Sequence, residues 1–334
     1  MTNIISDNSR CGVIGYGSWA TALVHTLEKN KKEVWWHIRN EEIIESMETE
    51  GRNAKYLSEL EFDTSLIHAK RNLDEVIENC EIILIAAPSA FLKQIMAELT
   101  VSLEGKFILS ATKGIIPDDY TTITEYFHKT FSIPYANLGV ISGPSHAEEV
   151  SRDKLSYLTV ACKSSENASL IGEMFNTPSV RISYSEDIYG IEYAGLLKNI
   201  YALAAGLAAG LGYGDNFRAV LTSACAKELK RFINESYPFN RDTTNSAYLG
   251  DLLVTSYSSF SRNRRLGQLI GNGCTVKSAL NEMTMVAEGY YAAACFKKIN
   301  EKYNIDTPVA DMVYDILYCR CSPRKRMKEL TALL

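Results

Sequence analysis

Cys11-Gly12-Val13-Ile14-Gly15-Tyr16-Gly17-Ser18-Trp19-Ala20 is the stretch on which the fold turns. A short apolar run, Cys11 to Ile14, meets G-x-G-x-x-A, and a helical segment follows over 18–29. In a strand–turn–helix of this kind Gly15 permits the tight turn and Gly17 lets the backbone approach a pyrophosphate. Ala20 is small enough for the helix to pack on the strand. The helix N-terminus then offers unpaired N–H groups and the positive end of its dipole to phosphates. A secretory signal is a poor reading of the same residues, because Gly12, Gly15 and Gly17 punctuate the run after Arg10 and no cleavage site ends it.

Outward from this turn, short apolar runs alternate with helical patterns. Glu33 to Ile38, Glu81 to Ala86, Phe107 to Ser110 and Leu138 to Ile141 read as further strands of a parallel sheet. The later strands end on turn signals, Pro88-Ser89, Thr112-Lys113-Gly114 and Gly143-Pro144-Ser145. Ligands of open α/β sheets bind outside the carboxyl ends of the strands, so these loops are expected to converge on one crevice. From about Ile188 onward helical segments take over, at Ile191 to Leu211, Asn216 to Asn234 and Met283 to Tyr303. The expected architecture is α/β: an N-terminal Rossmann-like doubly wound sheet over residues 1–187 and a C-terminal all-helical, substrate-binding domain over 188–334. The run from Ala194 to Leu211 nears membrane-spanning length, but Lys198, Asn199 and its many Ala and Gly residues make it a packed internal helix.

Composition agrees with two cores: 334 residues, 46% hydrophobic and 22% charged, is ordinary for a globular chain of twice the usual domain length. A net charge of −5 argues against a nucleic-acid-binding surface. The eight cysteines lack C-x-x-C pairs and read as reduced thiols of a cytoplasmic protein. His25, His37, His68, His128 and His146 show no metal-ligand spacing, so no metal is expected. The second strand ends in Ile38-Arg39-Asn40-Glu41. An arginine there accommodates the 2′-phosphate of NADP, while Glu41 leaves NAD open.

The ordered blocks GYGSWATAL, SATKGI, GPSHAEEV, EYAGLLKNIYALAAG, LGDLLVTSYSSFSRNRRLG and VAEGY resemble NAD(P)-dependent glycerol-3-phosphate dehydrogenases of the bacterial type over nearly the whole chain. The resemblance implies interconversion of dihydroxyacetone phosphate and glycerol 3-phosphate by hydride transfer, supplying glycerophospholipid synthesis, in a homodimer. It implies cofactor contacts by Ser18, Trp19, Arg39, Lys113, Ala147, Arg262, Val286 and Glu288 beside Gly15 and Gly17. Lys198 is the implied proton-transferring residue, with Lys113, Asn199, Asp251 and Thr255 around it. Ser261, Arg262 and Asn263 are implied to bind substrate, chiefly its phosphate end, and Gly143 and Ser145 to join them. His146 stands where many relatives carry Phe, Glu148 where some carry Lys, and Ala20 where the third glycine would be.

These residue types suit the chemistry. Hydride delivery to a ketone leaves negative charge on oxygen that must be protonated, and a lysine buried beside another cation has its pKa lowered toward neutrality. Lys113 can supply that cation and Asp251 can hold the ammonium. Asp251 has a second reading, as the cap of a helix beginning at Leu252. A guanidinium between Ser261 and Asn263 makes Arg262 a phosphate ligand rather than part of a solvated basic face. A hydroxy-acid dehydrogenase of the same plan and a non-catalytic dinucleotide sensor are the alternatives; the sensor would have no need of Lys198, Lys113 and Asp251 together.

Overall fold

A computed structural model of the chain describes residues 4–283 and 285–334. Two compact units form, one from residues 1–112 and 123–188, the other from 113–122 and 189–334. The segment carrying Lys113 thus belongs with the helical unit although it directly follows a strand of the first.

The first unit runs β1 (Cys11–Ile14), α1 (Ser18–Lys29), β2 (Val34–His37), α2 (Glu41–Glu50), β3 (Ile67–Lys70), α3 (Leu73–Asn79) and β4 (Ile82–Ile85). It continues with α4 (Ser89–Met96), β5 (Phe107–Ser110), α5 (Ile123–Phe131), β6 (Leu138–Ser142), α6 (Ala147–Val150), β7 (Ser156–Cys162), α7 (Ser165–Phe175) and β8 (Val180–Ser185). Strands β1, β4, β5 and β6 are buried at every position. This is why they read as unbroken apolar runs: a parallel strand covered on both faces has no polar side. The single sheet has the order β3-β2-β1-β4-β5-β6-β7-β8. The strand order reverses between β1 and β4, which places the switch point of the sheet beside the Gly15 turn.

Three strands escape the sequence reading. β3 is short and half-exposed. β7 runs antiparallel to β6 and pairs in parallel with β8, so the sheet is mostly rather than wholly parallel. β8 is an edge strand with polar residues at alternate sites and carries little hydrophobic signal.

The second unit contains α8 (Ile188–Gly210), α9 (Asp215–Ser236), a π-helical turn (Ser246–Gly250), α10 (Asp251–Tyr257), α11 (Arg262–Gly271), α12 (Val276–Glu282), α13 (Glu288–Tyr303), α14 (Pro308–Tyr318) and α15 (Pro323–Thr331). The expected helix over Met283–Tyr303 begins instead at Glu288. Met283 is extended, with φ −78° and ψ 123°, and ends α12, while Thr284 lies outside the described residues. Among the described residues no helix is long and apolar enough to cross a membrane.

Helix α8 is buried along 191–208, and glycines set how closely its neighbours approach. A Cβ on Gly206 or Gly210 would overlap the carbonyl oxygens of Arg264 and Gln268 on α11. One on Gly267 or Gly271 would overlap those of Leu203 and Leu207 on α8. The backbones of α8 and α11 therefore touch, and Asn199 on one helix meets Asn263 at the start of the other.

Candidate active site

In the first unit the turn after β1 is held from behind. Gly15 has φ +117°, and a Cβ there would lie 2.6 Å from the backbone nitrogen of Ala87, just past β4. Only glycine fits so close to a second strand end. The indole N–H of Trp36 donates to the Gly15 carbonyl at 2.6 Å, and Asn53 Nδ2 donates to the Tyr16 carbonyl at 3.0 Å. Asn53 also donates to the Thr21 hydroxyl, which itself donates to the Gly17 carbonyl. With its carbonyls occupied inside, the turn leaves its N–H groups for a ligand. Helix α1 starts from Gly17 without a side-chain cap, and a Cβ on Gly17 would meet nothing within 4 Å. Uncapped N–H groups behind an open space fit a dinucleotide pyrophosphate.

Trp36 and Asn53 escape the sequence reading, and nothing near Asn53 in the chain marks it. Trp19 closes the same region, its indole donating to the Ala111 carbonyl at the end of β5, beside the buried Ser18. At the end of β2, Arg39 lies 3.4 Å from Glu98. Glu41, the acidic alternative, is the first residue of α2 and pairs with Arg71. Elsewhere in this unit Ser145 donates to the Gly143 carbonyl across a turn in which Gly143 has φ +137°, and Ala147 opens α6.

The second unit gathers charge. Asp251, 1% exposed, accepts from Lys198 on one carboxylate oxygen and from Lys113 on the other, the latter at 3.1 Å. Lys198 is 5% exposed. Burial pulls its pKa down from 10.5 to about 7; Asp251 opposes the shift and Lys113 adds to it. Helix α10 emerges from the π-helical turn at Asp251, and both carboxylate oxygens face lysines, so the carboxylate serves the ammonium pair. The Thr255 hydroxyl donates to the Asp251 carbonyl at 2.6 Å, bracing α10 one turn on.

Beside the charges runs a set of amides. Asn199 donates to the Lys113 carbonyl at 2.7 Å and accepts from Asn263 at 2.9 Å. Ser261 caps α11 by accepting from the Arg264 N–H at 3.3 Å, and Arg262 is the first residue of that helix. Val286 and Glu288, partly exposed, stand at the entry to α13. The residues named from sequence thus fall into two sets. Gly15, Gly17, Ser18, Trp19, Arg39, Gly143, Ser145 and Ala147 lie in the first unit, and Lys113, Lys198, Asn199, Asp251, Thr255, Ser261, Arg262, Asn263, Val286 and Glu288 in the second. Among the described residues no group of three His, Cys, Asp or Glu side chains is placed to hold a metal ion.

Residues 10–168 match the family described as NAD-dependent glycerol-3-phosphate dehydrogenase N-terminus, and 187–328 the corresponding C-terminus. The chain belongs to this family. Among its relatives, the glycerol-3-phosphate dehydrogenase [NAD(P)+] of Clostridium botulinum (strain Eklund 17B / Type B) is 35% identical over 96% of this chain and 97% of its own length. That of Staphylococcus carnosus is 33% identical over 93% and 94%. The crystal structure of glycerol-3-phosphate dehydrogenase from Coxiella burnetii superposes with a TM-score of 0.90 at 28% identity, covering 98% of this chain and 99% of the other. A D-mandelate dehydrogenase structure reaches only 0.59 at 13% identity, a likeness of fold alone. The family assignment does not favour the hydroxy-acid dehydrogenase and sensor readings.

Proposed function

We propose that the protein reduces dihydroxyacetone phosphate to glycerol 3-phosphate with NADH or NADPH, and runs the reverse reaction. The observation that carries this reading is the buried Lys113–Asp251–Lys198 cluster. Two ammonium groups sharing one carboxylate make a strongly polar, desolvated site with a mobile proton. The nicotinamide supplies the hydride that goes to the carbonyl carbon. Lys198 donates a proton to the ketone oxygen and takes it back in the alcohol-oxidising direction. A pKa near 7 suits both directions at neutral pH. Asp251 keeps the ammonium oriented, and Lys113 stabilises the developing negative charge on oxygen. Ser261 and Arg262 take the phosphate of the substrate, the guanidinium binding it bidentately at a helix N-terminus. Gly143 and Ser145 join in substrate binding, and Asn199 and Thr255 support the lysines.

On the cofactor side Gly15, Gly17, Ser18 and Trp19 take the pyrophosphate, and Arg39 the adenosine ribose or its 2′-phosphate. Lys113, Ala147, Arg262, Val286 and Glu288 complete the cofactor contacts. The enzyme works as a cytoplasmic homodimer and supplies glycerol 3-phosphate to glycerophospholipid synthesis. The test is to follow NADH and NADPH oxidation on adding dihydroxyacetone phosphate or a 2-keto acid, and reduction of NAD and NADP on adding 6-phosphogluconate. Turnover is expected with dihydroxyacetone phosphate; turnover only with one of the acids refutes the proposal.

A further inference from the structure

In a protein of net charge −5, residues 320–329 hold Arg320, Arg324, Lys325, Arg326 and Lys328 against a single acid, Glu329. Helix α15 sorts these charges. Met327 and Leu330 are its buried side. At 3.6 residues per turn Lys325 and Lys328 fall on the opposite side, with Arg324 next to them. Arg320, in the connection from α14, is exposed as well. Arg326 is spent at the base of the helix, paired with Asp315 on α14 and with Glu329 at 2.6 Å. Lys325 lies 4.0 Å from the same Glu329 with 78% of its side chain in solvent, and α15 has no other acid to offer Arg324 or Lys328. The helix gains nothing from these cations. Arg324 and Lys325 occupy its first turn, where the dipole disfavours positive charge, and no acid balances them there. The start is fixed instead by Pro323 and by Ser322, which accepts the Lys325 N–H at 3.4 Å. The cations therefore add to the positive end of the helix, and past its last turn Leu333 and Leu334 stand 71% and 42% exposed.

We propose that the outer face of α15, with Arg320 before it and Leu333 and Leu334 after it, docks on an anionic phospholipid bilayer. The occupant follows from the pairing of the two chemistries. Cations held at a bilayer surface meet the phosphates of the headgroups, and exposed leucines beside them enter the acyl boundary. A nucleic acid would satisfy the cations and leave the leucines in water. Contact of this kind is peripheral and needs no membrane-crossing helix. The inference stands on surface chemistry alone and does not depend on the dehydrogenase reading. Where both hold, glycerol 3-phosphate is released at a membrane surface.

The test is co-sedimentation of the whole protein with vesicles of phosphatidylcholine alone and of phosphatidylcholine mixed equally with phosphatidylglycerol. Wild type is expected to bind the mixed vesicles only, and to leave them as salt rises from about 0.1 M to about 0.5 M. Combined Arg324→Glu, Lys325→Glu and Lys328→Glu should weaken binding at least about a hundredfold, each cation being worth roughly fivefold at such a surface. Leu333→Ser with Leu334→Ser should weaken it at least about tenfold. If the charge-reversed protein does not fold, glutamine at the same three positions replaces it, with a loss of at least about tenfold expected. No binding to the mixed vesicles, equal binding to both kinds, or full binding by either set of variants overturns the proposal. So does tighter binding to a duplex DNA oligonucleotide that charge reversal abolishes and the leucine variant leaves unchanged.

Discussion

The turn after β1 and the lysine–carboxylate cluster make their sites in opposite ways. The turn offers backbone N–H groups, and the residues that shape it, Gly15 to Ala20, are neighbours in the chain. The cluster works with side-chain charge, and its members come from residues 113, 198–199, 251–255 and 261–263. A backbone site costs little to keep, because its groups would need partners anyway and its support is ordinary burial of Trp36 and Asn53. A charge site must bury ammonium and carboxylate groups, which is unfavourable unless each is paired. The second unit meets that condition by setting Asp251, the first residue of α10, between Lys198 of α8 and Lys113. The contrast predicts that the two sites fail independently.

The largest break comes at Asp251. Asp251→Asn keeps the shape but leaves two neighbouring cations without their anion. Turnover should fall by about 10²–10⁴, and stability by about 3–5 kcal/mol as for a broken buried pair. NADPH affinity, read by fluorescence titration, should stay near native. Equal losses in affinity and turnover would show that the two sites are not independent.

Gly206→Ala probes the support of the cluster. Alanine favours a helix by about 1 kcal/mol over glycine, but the added methyl overlaps the Arg264 carbonyl and must push α11 away. We expect a net destabilisation of about 1–3 kcal/mol in urea unfolding, with reduced kcat and unchanged cofactor binding. A variant more stable than wild type would mean that the helices have room to spare.

Arg39→Asp tests the other side of the comparison. It removes the guanidinium at the end of β2 and adds a carboxylate near Glu98. The NADPH/NADH ratio of kcat/KM should fall by roughly tenfold to a hundredfold, the worth of one charge-assisted hydrogen bond, with kcat for NADH preserved. An unchanged ratio would place the 2′-phosphate contact elsewhere.

A smaller effect is expected at Glu228, another buried charge of the second unit. Its carboxylate accepts the N–H groups of Val309 and Ala310 at 2.8 and 3.0 Å at the start of α14, and burial pushes its pKa from 4.5 up to about 7. Between those values the unfolded chain releases the proton while the folded chain keeps it. The contribution to stability is therefore full below the lower value, falls as pH rises through the window, and is flat above it. Relative to Glu228→Gln, wild type should lose about 1–3 kcal/mol of stability across that window. Parallel pH profiles for the two proteins would contradict the assignment.

The same contrast explains what the sequence discloses. β1, β4, β5 and β6 stand out because both their faces are buried, and the Gly15 turn because its signal is contiguous. β7 and β8 do not, since β7 reverses direction against β6 and β8 is a polar edge, and neither fact has a local signature. Lys198 stands out as a lysine among Ala, Gly and Tyr, but its link to Asp251 spans 53 residues and is expected only through resemblance to the family. Asn53 lies in none of the blocks that carry the resemblance, and the bond between Asn199 and Asn263 spans 64 residues. Only the folded backbone shows which carbonyl each amide must reach.

In the proposed mechanism proton transfer belongs to Lys198 and cofactor binding to the glycine turn. Lys198→Met tests it most directly, because methionine keeps much of the apolar volume and Asp251 retains Lys113 at 3.1 Å as its partner. The measurement pairs NADPH titration with steady-state reduction of dihydroxyacetone phosphate on the same folded variant. Near-native NADPH affinity with turnover at least about a hundredfold lower is the predicted result; near-native kcat in a folded Lys198→Met protein would contradict the mechanism.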